Sequence, residues 1–271
     1  MLQTIVLILI FFFGTFASSH AQVQPPDLSQ WRQIKGEHFV VFVLSRRDES
    51  AGRDVLRSAE DDYDKIARQI GYARYGNFWT WEERVKIIIF PDQLTFSVTT
   101  NQPAWSRGYA VRDSRLFESR AIVTFKQEEG FTDSVLPHEI GHLILRDFIG
   151  FERSIPLWFD EGVAQLQEAP NADAELGMAM IVKNKEYVPF ELLSQIDIRR
   201  ETNSRKVAIF YAQSRFILEF LIKTYGQEAF QRLCHELKEG KSFEEALKSA
   251  YASSIDSMKS LEIKWLNHMS G

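Results

Sequence analysis

The sequence predicts an α+β fold: a small mixed sheet with helices in the N-terminal part and a helical C-terminal half. Three observations carry this. Runs rich in β-branched and aromatic residues, His38–Val43, Arg84–Phe90 and Arg120–Phe125, all fall in the first half. A long helical pattern, Ser50 to Gly71, separates the first two of them. From Ser134 onward apolar residues recur at helical spacing.

Met1 to Ala21 contains no Asp, Glu, Lys or Arg, and its apolar run extends from Ile5 to Phe16. Ser19 and Ala21 place small residues before a cleavage at Gln22, so residues 1–21 read as a secretory signal peptide. The missing basic start leaves an uncleaved N-terminal anchor as the alternative, although the run is short for a bilayer span. Cys234 is the only cysteine, which excludes an intrachain disulfide. An exported chain without disulfides points to the periplasm, with the extracellular space as the other choice.

Residues 22–35 read as an extended lead-in to one domain over 36–270. His38–Val43 is the first expected strand. In Ser50–Gly71, Val55, Leu56, Ala59, Tyr63, Ile66, Ala67 and Ile70 share a helical stripe, and Gly71 closes it. Arg84–Phe90 is the second strand, stopped by Pro91-Asp92. Leu94 to Glu118 carries few periodic cues and is expected to be loop, apart from the short segment Gly108-Tyr-Ala110. Arg120–Phe125 is the next strand.

Ser134-Val-Leu-Pro-His-Glu-Ile-Gly-His-Leu-Ile-Leu145 is then expected as a helix. Ser134 suits the N-cap, Asp133 the positive end of the dipole and Pro137 the first turn. Gly150 suits the position past its end. Helices follow at Ala174–Val182, Ser204–Tyr225, Glu228–Leu237, Phe243–Tyr251 and Ile255–Met269. With 45% apolar residues the chain can bury a core, and a net charge of -5 without a basic run excludes the footprint of a nucleic-acid binder.

The chemistry concentrates in His138-Glu139-Ile140-Gly141-His142, an H-E-x-x-H pattern. Positions i and i+4 of a helix lie on one face, about 6 Å apart along the axis. Two imidazoles so placed can converge on one Zn²⁺, while Glu139 sits on the flank as a carboxylate able to take a proton. A catalytic zinc usually takes a third protein ligand. Glu161, in Leu157-Trp-Phe-Asp-Glu-Gly-Val-Ala164, follows His142 after eighteen residues. That gap allows one helix to end and a second to return with a carboxylate.

His138-Glu139-x-x-His142, eighteen residues, then Glu161-Gly162 within Leu-Trp-Phe-Asp-Glu-Gly-Val-Ala resembles the gluzincin metallopeptidases, and the compact layout resembles their peptidase MA-like domains. The resemblance implies a zincin-like fold with the zinc helix in the middle. It implies one zinc ion held by His138, His142 and Glu161, Glu139 as general base, and hydrolysis of peptide bonds in a peptide or protein substrate. It implies that the strand before the zinc helix, Arg120–Phe125, borders the cleft with a free edge. It also implies an oxyanion donor on the long helix after Glu161, for which Tyr211 is the candidate, with a packed core tyrosine as the other reading.

The chain departs from the family in two places. The Gly-x-Met-Glu-Asn segment that reads a free amino terminus in aminopeptidases is not found, which favours a metalloendopeptidase. Gln165 stands four residues after Glu161, where thermolysin-like relatives carry an Asp that supports a zinc-bound His. Asp160 and Asp147 are the possible substitutes. A zinc-binding module with little turnover, acting at the cell envelope, is the alternative function, and Gln165 is the feature that favours it. His38, His235 and His268 lack ligand spacing, and Cys234 reads as a buried structural thiol. Trp158 and Phe159 are expected to set the angle at which Glu161 approaches the metal.

Overall fold

The computed structural model describes residues 27–270, apart from 73–78, 80–82, 104–105, 112–119, 127–129, 170–172 and 252–253. The expected signal segment, residues 1–21, and the first part of the lead-in lie outside the described residues. Five strands form one sheet: β1 (Arg32–Lys35), β2 (Phe39–Val43), β3 (Val85–Phe90), β4 (Gly108–Val111) and β5 (Ala121–Phe125), in the order β1-β2-β3-β5-β4. The inner strands β2, β3 and β5 are parallel, and the outer strands β1 and β4 are antiparallel to their neighbours.

The inner strands read as almost unbroken apolar runs because both of their faces are covered. Helix α1 (Glu49–Ile70) makes the crossover that a parallel β2–β3 pair requires, and Gly71 ends it at a φ of 88°. Phe42, Ile88, Phe90, Phe96, Tyr109, Ala121 and Val123 form one apolar cluster, joined by the partly buried Leu28 and Trp31.

Four local expectations are corrected. Arg32–Lys35, placed in the lead-in, is a strand of the sheet. Gln93–Thr100, expected as loop, is helix α2; the Asp92 side chain caps it, accepting from the Thr95 N–H at 2.7 Å. Its β-branched content and its single inward pair, Phe96 and Thr100, left no helical stripe to read. β5 has no free edge, since it pairs with β3 on one side and β4 on the other. The outer strand is β4. Finally, Ser134 is not an N-cap: Phe131–Val135 is already a π-turn, entered through Gly130 at a φ of 77°, and it runs straight into helix α3 (Leu136–Ile149).

By internal contacts the chain forms two compact units, Met1–Lys65 with Gly76–Ile140, and Ile66–Tyr75 with Gly141–Gly271. Two of the three divisions fall inside α1 and α3, and the third, between residues 75 and 76, lies outside the described residues. The first unit holds the sheet. The second holds α4 (Leu157–Gln165), α5 (Ala174–Lys183), α6 (Phe190–Leu193), α7 (Ser204–Tyr225), α8 (Gln227–Lys238), α9 (Phe243–Tyr251) and α10 (Met258–Ser270). The expected stripe Val207, Phe210, Ile217 and Leu221 on α7 is buried, and so are Tyr211, Ser214 and Leu218. That wide burial arises because α4, α5, α8 and α10 all pack on α7. Asn203 caps it, and Gly226 ends it at a φ of 86°.

One polar clamp fixes the start of β2 to α1. The Glu60 carboxylate accepts the His38 and Phe39 N–H groups (3.0 and 3.3 Å) and sits 2.6 Å from His38 Nδ1. Burial, the largest influence, pushes the Glu60 carboxyl up; the bonds from His38 and Phe39 outweigh it and hold it below its usual range. A carboxyl lowered on folding stabilises the native state above its unfolded value and loses that contribution as pH falls through the folded value. Replacing Glu60 by Gln should therefore lower stability at neutral pH by about 1–2 kcal/mol. It should also flatten the loss of stability below about pH 4.5, measured by urea unfolding across pH.

Candidate metal centre

Pro137 explains the π-turn that precedes α3. Inside an α-helix a proline ring meets the carbonyl four residues back, here that of Asp133. A widened turn removes the clash: the Leu136 N–H bonds to the Phe131 carbonyl, five residues back. The helix then continues without interruption through His138, Glu139 and His142. The division between the units passes between Ile140 and Gly141, so continuous helix geometry sets the spacing of the two imidazoles.

One ligand atom from each of His138, His142 and Glu161 lies within 4.8 Å of the others. His142 Nε2 and Glu161 Oε2 are 3.5 Å apart. Bonds of about 2.1 Å to a tetrahedral ion separate two ligands by about 3.4 Å, so the spacing suits zinc. His138, Glu139, His142 and Glu161 are 0%, 1%, 1% and 2% exposed. Two imidazoles and one carboxylate leave a fourth position for water, as in catalytic zinc sites.

The partner of the His142 imidazole is Asp160. His142 Nδ1 lies 2.9 Å from Asp160 Oδ1, which directs Nε2 toward Glu161. Asp160 is in turn bound by Arg146, whose Nε and Nη2 lie 2.8 and 2.7 Å from Oδ2. Burial, the largest influence on Asp160, pushes its carboxyl up, but His142 and Arg146 outweigh it and hold it at about 2. Burial is also the largest influence on His142 and lowers it; the charges of Asp160 and Glu161 prevail and raise it to about 10. A metal at this imidazole would compete with a proton for it.

The other two candidates for that role are engaged elsewhere. Gln165 donates from Nε2 to Glu168 Oε1 (2.7 Å), and its backbone carbonyl accepts from Arg215 Nη1 (2.9 Å). Asp147 accepts from the Tyr72 hydroxyl at 2.5 Å. The signal for Asp160 was present in the chain: it adjoins Glu161, and Arg146 follows His142 by one helical turn on the same face.

Two glycines, given no role from sequence, let the helices approach. A Cβ on Gly141 would stand 3.2 Å from Ala164 Cα and from Gln167 Cγ. One on Gly162 would stand 2.7 Å from the Ser214 carbonyl oxygen and 3.0 Å from Leu218 Cδ1. Gly141 thus sets the distance of α3 to α4, and Gly162 that of α4 to α7.

Trp158 and Phe159 are fully buried beside the ligand. Both rings meet Phe243, at 5.3 and 5.2 Å, and Trp158 Nε1 donates to Ser194 Oγ at 3.2 Å. Tyr211 is buried on α7, edge-on to Phe210 at 5.7 Å, one turn before the Ser214 that meets Gly162. His38 is committed to Glu60, His268 stacks near Phe220 at 5.1 Å, and His235 lies 3.9 Å from Glu239. Burial pushes the Cys234 thiol far up, as for an inert structural thiol.

A family model described as the Peptidase MA superfamily matches residues 82–271. No curated protein matches the chain. The close approach at Gly162 has a direct consequence. Gly162→Ala should destabilise the protein by about 1–3 kcal/mol and weaken metal uptake, because α4 must move off α7. Gly141→Ala, with its looser 3.2 Å contacts, should do less of both in the same unfolding and metal-titration assays.

Proposed function

The chain belongs to the Peptidase MA superfamily, and from that footing we propose that it is a zinc metallopeptidase. We take it to be an endopeptidase acting on peptide or protein substrates outside the cytoplasm. The observation that supports this most is the convergence of His138, His142 and Glu161 beside a buried Glu139.

When bound, zinc would supply a water far more acidic than bulk water and would polarise the carbonyl under attack. His138, His142 and Glu161 hold the ion, with His142 oriented by Asp160. Glu139 takes the proton of the attacking water on its carboxylate and delivers it to the amide nitrogen as the C–N bond breaks. The Tyr211 hydroxyl donates to the carbonyl oxygen as it gains charge. Burial suits these roles, because charge is stabilised most where water is excluded.

Endopeptidase action is supported by the missing Gly-x-Met-Glu-Asn segment and by β4. As an outer strand it offers a backbone edge with which an extended peptide can pair. Gly108 brings β4 close to the residue that precedes α3: a Cβ there would lie 3.0 Å from Val135 Cγ1. The alternative, a zinc-binding module with little turnover, drew its support from Gln165. Asp160 supplies the charge that Gln165 lacks, so that support falls away. Export rests on the composition of residues 1–21; among the described residues no helix is long and apolar enough to cross a membrane.

Glu139→Gln should keep one zinc per chain and lower cleavage of a quenched peptide library by about 10²–10⁴-fold. His142→Ala and Glu161→Ala should lose the zinc itself. Unchanged turnover in Glu139→Gln would remove the carboxylate from the mechanism. Tyr211→Phe should retain zinc and slow cleavage by about 10²-fold, whereas wild-type rates would make Tyr211 a core residue only. Peptides with blocked amino termini should be cut as well as free ones.

A further inference from the structure

We infer that Arg146 is a positioning residue of the metal centre: acting through Asp160, it keeps His142 Nε2 turned toward the ion and so tightens metal binding, although its own charge opposes that binding. The inference rests on the zinc reading above and extends it one link outward.

Arg146 follows His142 by one turn of α3, so both side chains leave the helix on the same face. Its Nε and Nη2 grip Asp160 Oδ2, at 2.8 and 2.7 Å, while Asp160 Oδ1 faces His142 Nδ1 at 2.9 Å. Its Nη1 donates to the Arg153 carbonyl at 3.2 Å, in the connection between α3 and α4. One guanidinium therefore ties the helix that carries His142 to the connection and to the helix that carry Glu161.

Asp160 and Glu161 are consecutive, about 3.8 Å apart at Cα. The residue that orients His142 at Nδ1 and the residue that faces its Nε2 thus leave the backbone together. A shift of Asp160 displaces both. The side chains of Arg146 and Asp160 are 14% and 4% exposed, so solvent screens the pair little. A lysine would keep the charge but not the planar fork.

Two physical effects of Arg146 have opposite signs, which makes the inference testable. A guanidinium near a divalent cation repels it, so by charge alone its removal tightens metal binding. If Arg146 acts by holding Asp160, its removal weakens binding. Zinc affinity would be measured by competition with a chromophoric chelator for wild type, R146M, R146K, D160N and R146M/D160N. Thermal unfolding of each metal-free protein would be followed alongside.

The expected result is a loss of about 10–100-fold in R146M, with R146K between it and wild type. In the D160N background, where the link is already cut, the Arg146 change should no longer weaken binding and, by charge alone, should tighten it. Affinity in R146M equal to or tighter than wild type would overturn the inference, as would equal losses in both backgrounds. If R146M fails to fold, the double variant, which leaves neither buried charge alone, is compared with D160N; weaker binding than D160N overturns the inference. A wild-type chain that takes up no zinc would sink the metal reading and this link with it.

Discussion

Two imidazoles on one helix share an ion with a third donor only if a second helix comes to backbone distance, and that approach is the constraint on which the centre depends. At ordinary helix separations of 8–10 Å, interposed side chains would hold the Glu161 carboxylate away. Here the chain places glycine at each point where helix meets helix. Gly141, between the two histidines, admits Ala164 and Gln167 of the α4 segment, and Gly162, beside the third ligand, admits the backbone of α7. The H-E-x-G-H and E-G patterns thus specify spacing as well as ligands. Trp158, Phe159 and Phe243 supply apolar burial on the far side of α4, which holds the approach in place.

Charge imposes the second condition. Asp160 and Glu161 bury two neighbouring carboxyl groups, and Arg146 meets the first of them with a positive charge. Without such compensation buried charges are strongly destabilising. Burial lowers the His142 imidazole, but the carboxylates of Asp160 and Glu161 outweigh it and raise it well above its ordinary value. A proton and a metal would compete for the same imidazole.

Much of this was legible in the sequence, for identifiable reasons. H-E-x-x-H is a local pattern, and its geometry follows from one helix; Glu161 was reachable because only one connection separates it from His142. The long helices α1 and α7 declared themselves by their apolar stripes and closing glycines. What stayed hidden depended on tertiary partners. Asp160 could not be ranked above Gln165 or Asp147, because which carboxylate meets Nδ1 depends on the rotation of α4 about its axis. That rotation is set by Gly162 and Ser214, fifty-two residues apart in the chain. β5 carried the apolar signature of an inner strand, whereas its assumed free edge came from analogy; β4, four residues long, was too short to claim the edge by pattern. The π-turn was hidden for a subtler reason: Ser134 is a good cap in isolation, and only the Pro137 ring moves the start of the helix back to Gly130.

The departure from thermolysin-like relatives then has a physical meaning. A supporting carboxylate four residues after the third ligand lies one helical turn away, where it can orient an imidazole without further help from the ligand's own turn. In this chain the carboxylate directly precedes the ligand. Adjacent residues on a helix point about 100° apart, so Asp160 and Glu161 reach His142 from different sides, one at Nδ1 and one across the ion site at Nε2. The ring is held between them. Such a grip leaves position 165 without a task at the imidazole, and the Gln165 side chain instead meets Glu168 while its backbone carbonyl receives Arg215 from α7. The same helical turn that lost a supporting carboxylate gained an anchor to the helix carrying Tyr211, so the substitution that looked like a weakened site reads physically as a relocated one.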